Sequence, residues 1–200
     1  MNHSYSLPRA VAMAHHLLRG VVRPGDPVVD ATCGNGHDTV ALAGMTGPGG
    51  MVLALDIQPD AVAATMDLCL SHGVGDRVRV VCGGHEDLAA YWQRHMPDQA
   101  GAVAIVFNLG YLPGGDKSLI TRTDTTLAAL AAALGILAAG GMLVIVCYPG
   151  HDGGCEETAA VLAWASTLPA DGFLVSSYGF LNQPARPPQV IAVQRRPAMA

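Results

Sequence analysis

The chain has 200 residues, half of them apolar and only 14% charged, with a net charge of −5 at neutral pH. That length buries a full core as a single domain over residues 1–200, and that charge excludes a protein that coats nucleic acid by bulk electrostatics, leaving only focused phosphate contacts. Five widely spaced cysteines without a CxxC (Cys33, Cys69, Cys82, Cys147, Cys155) exclude a disulfide framework and a zinc site and fit a reducing cytoplasm, and no run of eighteen apolar residues offers a membrane span.

The first expected element is an amphipathic helix over residues 7–19. His15 and His16 interrupt its apolar stretch and no small-residue cleavage site follows, so it is not a signal peptide. After a turn at Pro24-Gly25-Asp26, short apolar runs alternate with helical patterns. Strands are expected at 28–31, 51–56, 78–82, 102–107 and 142–147, the last launched by Gly140-Gly141. Helices are expected at 37–43, 60–71, 86–95, 123–138 and 156–168. Strands at 173–181 and 190–195 close the chain, separated by a loop that holds Pro184, Pro187 and Pro188. Repeated strand-helix units with apolar strands predict an α/β fold built on a mainly parallel sheet buried on both faces.

The segment Asp30-Ala-Thr-Cys-Gly34-Asn35-Gly36-His37-Asp38-Thr39 follows the first strand and opens a helix. Gly34 and Gly36 permit a tight turn and a close backbone approach to a ligand. A dinucleotide fold would place a third glycine where Thr39 stands, and a pyrophosphate would repel Asp30. S-adenosylmethionine carries an ammonium and a sulfonium and no phosphate, so an acidic residue before the glycine turn favours it over NAD. Asp56 ends the second strand in Leu55-Asp56-Ile57-Gln58, where a carboxylate accepts both ribose hydroxyl protons and Ile57 can pack on the adenine. In Gly83-Gly84-His85-Glu86-Asp87, Glu86 reads equally as a contact to the adenine edge or as a helix N-terminal acid, and Asp87 as the latter. Helix capping is the plain alternative for Asp38.

The fourth strand ends in Asn108-Leu109-Gly110-Tyr111 and runs on to Leu112-Pro113-Gly114-Gly115-Asp116-Lys117. Ligands of open α/β sheets sit beyond the carboxyl ends of the strands, so this segment is expected to face the methyl donor. The Asn108 side-chain carbonyl and the Leu109 backbone carbonyl can accept N–H bonds from an amine, and Tyr111 can stack on a base. Proximity and alignment would then supply most of the acceleration. The alternative is that Asn108 caps a turn and Tyr111 only packs. His151, after the fifth strand, is a candidate proton acceptor, since imidazole changes charge near neutral pH. Lys117, Arg122 and Arg186 are candidates for phosphate contact, with solvated surface as the alternative for each. Asn182 is expected to close one wall. No Pro-Cys dipeptide is present, which disfavours covalent methylation of a pyrimidine ring carbon.

These residues resemble a known group, the small bacterial class I methyltransferases grouped as rRNA methylases, whose characterised member acts on tRNA wobble uridine. The likeness rests on the glycine turn with Asp38-Thr39, Asp56-Ile-Gln58, His85 and the Asn108–Asp116 segment. It extends through Thr121 and Thr126, Gly150-His151 with Gly154 and Glu157, and Asn182 with Pro187-Pro188. Thr32 stands in the first glycine slot of the broader methyltransferase motif yet agrees with this narrower group.

The resemblance implies a seven-stranded Rossmann-like class I fold with helices on both faces. It also implies methylation of the amine of 5-aminomethyl-2-thiouridine at tRNA position 34, and a homodimer. Residues and resemblance together assign S-adenosylmethionine to Asp30, Thr32, Gly34, Asn35, Gly36, Asp38, Thr39, Asp56, Ile57, Gln58, His85, Glu86 and Asn108. They assign the reaction to Asn108, Tyr111 and His151, with no metal. The tRNA anticodon stem-loop would be gripped by the catalytic domain alone, through Lys117, Arg122 and Arg186. The alternatives are a methyltransferase of the same fold acting on rRNA or a small amine, and a nucleotide-binding protein or dehydrogenase without methyl transfer. Stabilisation by NAD rather than S-adenosylhomocysteine would mark the last.

Overall fold

The computed structural model describes residues 7–112, 114 and 120–197. The elements run α1 (Ala10–Val21), β1 (Pro27–Asp30), α2 (His37–Thr46), β2 (Met51–Asp56), α3 (Pro59–Ser71), β3 (Val78–Cys82), α4 (Leu88–His95) and β4 (Ala102–Leu109). They continue with α5 (Thr123–Ile136), β5 (Leu137–Cys147), α6 (Gly154–Ser166), β6 (Phe173–Tyr178) and β7 (Gln189–Arg195). The described strands form a seven-stranded sheet ordered β3-β2-β1-β4-β5-β7-β6, parallel except for β7, which runs antiparallel to both neighbours. This is the mainly parallel, two-faced α/β arrangement that the strand-helix alternation predicts.

Side chains alternate across the strands, yet both faces are apolar because helices cover both. Val28, Val52, Ala54, Val106 and Val144 pack toward Leu18 of α1, Leu42 of α2 and Cys69 of α3. Val29, Leu53, Leu55, Ile105 and Phe107 pack toward Leu88 and Trp92 of α4, Leu130 of α5 and Val161 of α6. Each fully buried large side chain contributes about 1.5–3 kcal/mol, so this double interface dominates stability. β6 lies at the sheet edge, packing Phe173 and Tyr178 on the core and leaving Leu174 and Val175 exposed.

Most element ends shift by a few residues from expectation, and three of the shifts have plain physical reasons. α1 starts at Ala10 rather than residue 7, because Arg9 is extended at φ −69°, ψ 165°. β4 runs two residues past Phe107, since Asn108 and Leu109 stay paired with Val146 and Cys147. α5 stops at Ile136 rather than 138, because Leu137 already pairs with Ala102; residues 138–141 then bulge before Met142 pairs with Ala104. Lys117, with Pro113, Gly115 and Asp116, lies outside the described residues.

The strand order reverses between β1 and β4. β2 and β3 build to one side of β1, and the chain returns to start β4 on the other. A crevice opens at the carboxyl ends of such a pair, and there the sequence placed its candidates.

Candidate active site

Two adjoining cavities occupy this crevice. A cavity of about 380 Å3 is walled by Thr32, Gly34, Asp56, Ile57, Gln58, His85 and Glu86, and one of about 750 Å3 by Asn35, His37, Asp38, Tyr148 and His151. Thr32, Gly34, Asn108, Gly110 and Tyr111 belong to both, so the tips of β1 and β4 form the threshold between them.

The smaller cavity suits a nucleoside. Asp56 Oδ2 accepts the Gly34 N–H at 3.0 Å and Oδ1 accepts the Gln58 N–H at 2.9 Å. Each oxygen keeps a further acceptor site, which matches a vicinal pair of hydroxyls. Ile57 is 67% exposed on the cavity wall, an apolar side chain left uncovered where a flat ring would lie. His85 packs on Phe107 at 5.8 Å between ring centroids, and burial holds its imidazole below the usual pKa, in the neutral form. The turn beneath is built for close approach: Gly36 sits at φ +83°, and a Cβ there would meet Thr65 Cα at 2.9 Å. Thr65 in turn donates to the Gly34 carbonyl at 3.0 Å.

Asp30 does something other than touch a ligand. It is wholly buried and lines neither cavity; Thr39 Oγ1 donates to it at 2.6 Å and the Thr32 N–H at 3.4 Å. Burial, followed by the charge of Asp38, raises its pKa to about 7 against the opposing Thr39 bond. Asp30 thus supports the turn from beneath the cavity walls, and Thr39, equally buried, serves Asp30. Gly36 also lies off the cavity surface and acts through the turn.

The larger cavity presents two unmet acceptors. Asn108, at the end of β4, is held at two points, and its partner Asp38 is held in turn. Its N–H donates to Thr32 Oγ1 at 2.7 Å, its Nδ2 donates to Asp38 Oδ2 at 2.6 Å, and Asp38 Oδ1 accepts His15 Nε2–H at 2.6 Å. Burial works against the Asp38 charge, but the His15 bond and charge and the Asn108 bond outweigh it and keep the carboxyl below its ordinary pKa. An ionised carboxylate only accepts, so the face of Asn108 toward Asp38 must be the NH2 group. Asn108 Oδ1 therefore points the other way, buried and without a partner among the described residues.

His151 is the second acceptor. Its Nδ1 lies 2.8 Å from the Asp152 carbonyl, which can only accept, so Nδ1 carries the proton in the neutral ring. Nε2 then bears the lone pair, and it too is buried and without a partner among the described residues. Gly110 leaves the space for it: φ is +149°, and a Cβ would sit 3.4 Å from Nε2. Tyr111 meets the imidazole edge-on at 6.0 Å between centroids. The following loop is pinned where it returns, since Thr121 N–H donates to the Gly110 carbonyl at 2.8 Å. Buried Glu157 accepts from the hydroxyls of Thr121 at 2.7 Å and Thr126 at 2.6 Å. An unmet buried carbonyl and an unmet imidazole nitrogen facing one cavity seek a ligand that donates N–H or O–H.

The remaining candidates separate. Arg186 lines the larger cavity and donates to Cys155 Sγ at 2.7 Å, while Arg122 rims the smaller one and pairs with exposed Asp124 at 3.0 Å. Asn182 does not wall the larger cavity; it lies in a neighbouring one of about 830 Å3. Sequence reasoning missed His15, Tyr148 and the anchoring role of Glu157. The His15–Asp38 and Glu157–Thr121 contacts span 23 and 36 residues, and no local spacing signals such pairs. Among the described residues, no group of three or more His, Cys, Asp or Glu is placed to hold a metal ion.

The chain is similar to known proteins over nearly its full length. The family model described as "Putative rRNA methylase" matches residues 52–194. A chloroplastic tRNA (mnm(5)s(2)U34)-methyltransferase of Arabidopsis thaliana is 41% identical over 192 residues, covering 94% of this chain and 70% of that protein. Among solved structures, a "putative rRNA-methylase" of Clostridium thermocellum superposes with a TM-score of 0.90 at 36% identity, covering 96% of this chain and all of that one. A "putative methyltransferase" of Streptococcus mutans, solved in complex with SAH, gives 0.83 at 32% identity, covering 94% and 99%.

Proposed function

Because the chain belongs to the rRNA methylase family of class I methyltransferases, we propose that it converts 5-aminomethyl-2-thiouridine at tRNA wobble position 34 to the 5-methylaminomethyl form, using S-adenosylmethionine. The observation that carries the amine assignment is the pair of unmet acceptors, Asn108 Oδ1 and His151 Nε2, on one cavity wall.

The residues present fit the cofactor. Asp56 has acceptor sites left for the ribose hydroxyls, and Ile57 is bare for the adenine face. When bound, the cofactor supplies a methyl group on a sulfonium, which departs as a neutral thioether. The chain's own residues prepare the acceptor. A primary amine reaches neutral water as ammonium, and His151 Nε2 takes its extra proton, freeing the nitrogen lone pair. Asn108 Oδ1 accepts one remaining N–H, fixing the direction of that lone pair. Asp38 and His15 hold Asn108 with its carbonyl outward, so the group does not reorganise during reaction. Tyr111, 40% exposed, offers a ring for the uracil.

The same reading assigns phosphate contacts to Arg186 at the acceptor cavity, to Arg122 at the cofactor cavity and to Lys117. It also carries a cytoplasmic location and a pairing of two copies. Free thiols at all five cysteines support the first, and the exposed apolar side chains of edge strand β6 support the second. The test is direct: tRNA bearing 5-aminomethyl-2-thiouridine is incubated with enzyme and S-adenosylmethionine, digested, and analysed by mass spectrometry. One added methyl on the wobble nucleoside is expected. Methylation only of rRNA, or only of small amines, would overturn the assignment.

A further inference from the structure

A third cavity, of about 830 Å3, opens beside the acceptor cavity and shares with it the wall residues Val11, Tyr148 and Pro188. It lies between the start of α1, with Leu7 and Arg9, and the connection from β6 to β7, with Phe180, Asn182 and Gln183. Its two sides are tied together, because Tyr178 OH donates to the Pro8 carbonyl at 2.8 Å. Tyr178 also meets the Phe180 ring edge-on at 5.8 Å between centroids. Beyond these shared walls, Asn108, Tyr111 and His151 do not line this cavity.

We propose that this cavity holds the nucleobase adjacent to the methylated nucleotide, an inference that rests on the RNA reading above and extends it. Continuity is the first argument. A strand that turns one base into the acceptor cavity presents its neighbour at the next opening, on the far side of Tyr148. The wall chemistry is the second. Single-stranded RNA is read by stacking bases on aromatic rings and by hydrogen bonds to base edges. The cavity supplies both: the rings of Tyr148 and Phe180, and the side-chain amides of Asn182 and Gln183, which donate and accept. Arg9, exposed at the rim and with no ion pair among the described residues, stands where a phosphate would pass.

The charge of the chain is the third argument. At −5 the molecule as a whole repels RNA, so affinity must come from local, largely uncharged contacts. Base stacking on aromatic side chains is such a contact, and it is less dependent on salt than phosphate pairing. Methyl transfer needs only the target nucleotide, whereas selection of an anticodon needs a second base held in register. The third cavity supplies that second point of grip.

The test uses steady-state kinetics on a 5-aminomethyl-2-thiouridine stem-loop and on two versions made abasic at either nucleotide flanking the target. Phe180→Ala is expected to raise KM for the intact stem-loop about tenfold while leaving kcat and S-adenosylhomocysteine affinity unchanged. For one of the two abasic substrates, wild type should lose as much as the variant loses on the intact substrate. Phe180→Ala should then lose nothing further, and Phe180→Tyr should recover the intact-substrate KM. Asn182→Ala, at an exposed position, gives a second variant with the same non-additive pattern. Unchanged KM in both variants would overturn the proposal, as would losses that add for both abasic substrates or a cavity filled by a second copy of the chain in solution. Failure of wild type to methylate the intact stem-loop would instead sink the RNA reading on which it rests.

Discussion

Asn108 is held through its backbone N–H by Thr32 and through its amide nitrogen by Asp38, and its side-chain oxygen is idle among the described residues. Such an atom costs stability in the empty protein and regains it when a donor arrives. Asn108→Ala is therefore expected to lower kcat about 100-fold with S-adenosylhomocysteine affinity retained. Asp56→Ala should do the reverse, raising the dissociation constant about 10–100-fold, because its carboxylate gathers the Gly34 and Gln58 N–H groups and keeps acceptor sites on the smaller cavity. Calorimetry and single-turnover rates distinguish the two; equal loss of affinity in both variants would show that the site does not divide at Asn108.

Asp30 gives a pH signature at the same scale. Its folded pKa is raised from 3.8 to about 7, by burial first and the Asp38 charge second. Between those values the native state binds more protons than the unfolded state, so this group's stabilisation is complete below about pH 4 and is lost as pH rises to about 7. Asp30→Asn should remove that loss. Its Tm relative to wild type is expected to rise from pH 4 to 7 and stay level above, and a difference independent of pH would contradict the burial argument. The placement of Gly34, Asp56, Asn108 and His151 around the crevice was legible in sequence, because strand-tip position and residue type suffice to mark it. The internal role of Asp30 was not legible, since its contact with Thr39 depends on how α2 packs under the turn.

At the scale of elements, α1 enters the site from outside the nucleotide-binding units. His15 is the link, donating to Asp38 across 23 residues of sequence. The helix itself was evident from its amphipathic pattern, but the pattern cannot say which polar residue turns inward. His15→Ala preserves helix propensity and should lower kcat about tenfold, leaving KM for tRNA within twofold. His15→Gln, which retains a donor, should recover most of the loss. A change in KM alone would make His15 part of the RNA surface rather than a positioning residue.

The β1–α2 turn is the second such element. Gly36→Ala sets a Cβ 2.9 Å from Thr65 Cα at φ +83°, so the backbone must shift. Thermal unfolding is expected to show a loss of about 1–3 kcal/mol, roughly 5 °C in Tm, together with weaker S-adenosylhomocysteine binding. The limits of α5 and β5 were the least legible part of the fold. The alanine-rich stretch reads as one helix to residue 138, and only the pairing of Leu137 with Ala102 ends it at Ile136.

For the whole molecule, sheet class and strand positions could be read from sequence because a sheet covered on both faces needs unbroken apolar runs, and these are hard to mistake when helices separate them. The antiparallel insertion of β7 between β5 and β6 could not, since strand order is a property of the closed sheet. That sheet aligns two cavities across the β1 and β4 tips, one suited to a nucleoside and one to a hydrogen-bond donor, and it gives the methyltransferase its two-sided site. A net charge of −5 on this scaffold makes substrate choice depend on groups at the crevice rather than on overall attraction.

On the proposed function, this site methylates the amine of a wobble uridine, with Asn108 directing it. The most direct measurement is the wobble nucleoside of tRNA from a strain lacking the gene, analysed by mass spectrometry before and after complementation. Accumulated 5-aminomethyl-2-thiouridine is expected, converted to the methylated form by wild type and not by Asn108→Ala. A fully methylated wobble nucleoside in the deletion strain, or equal restoration by Asn108→Ala, would contradict the account.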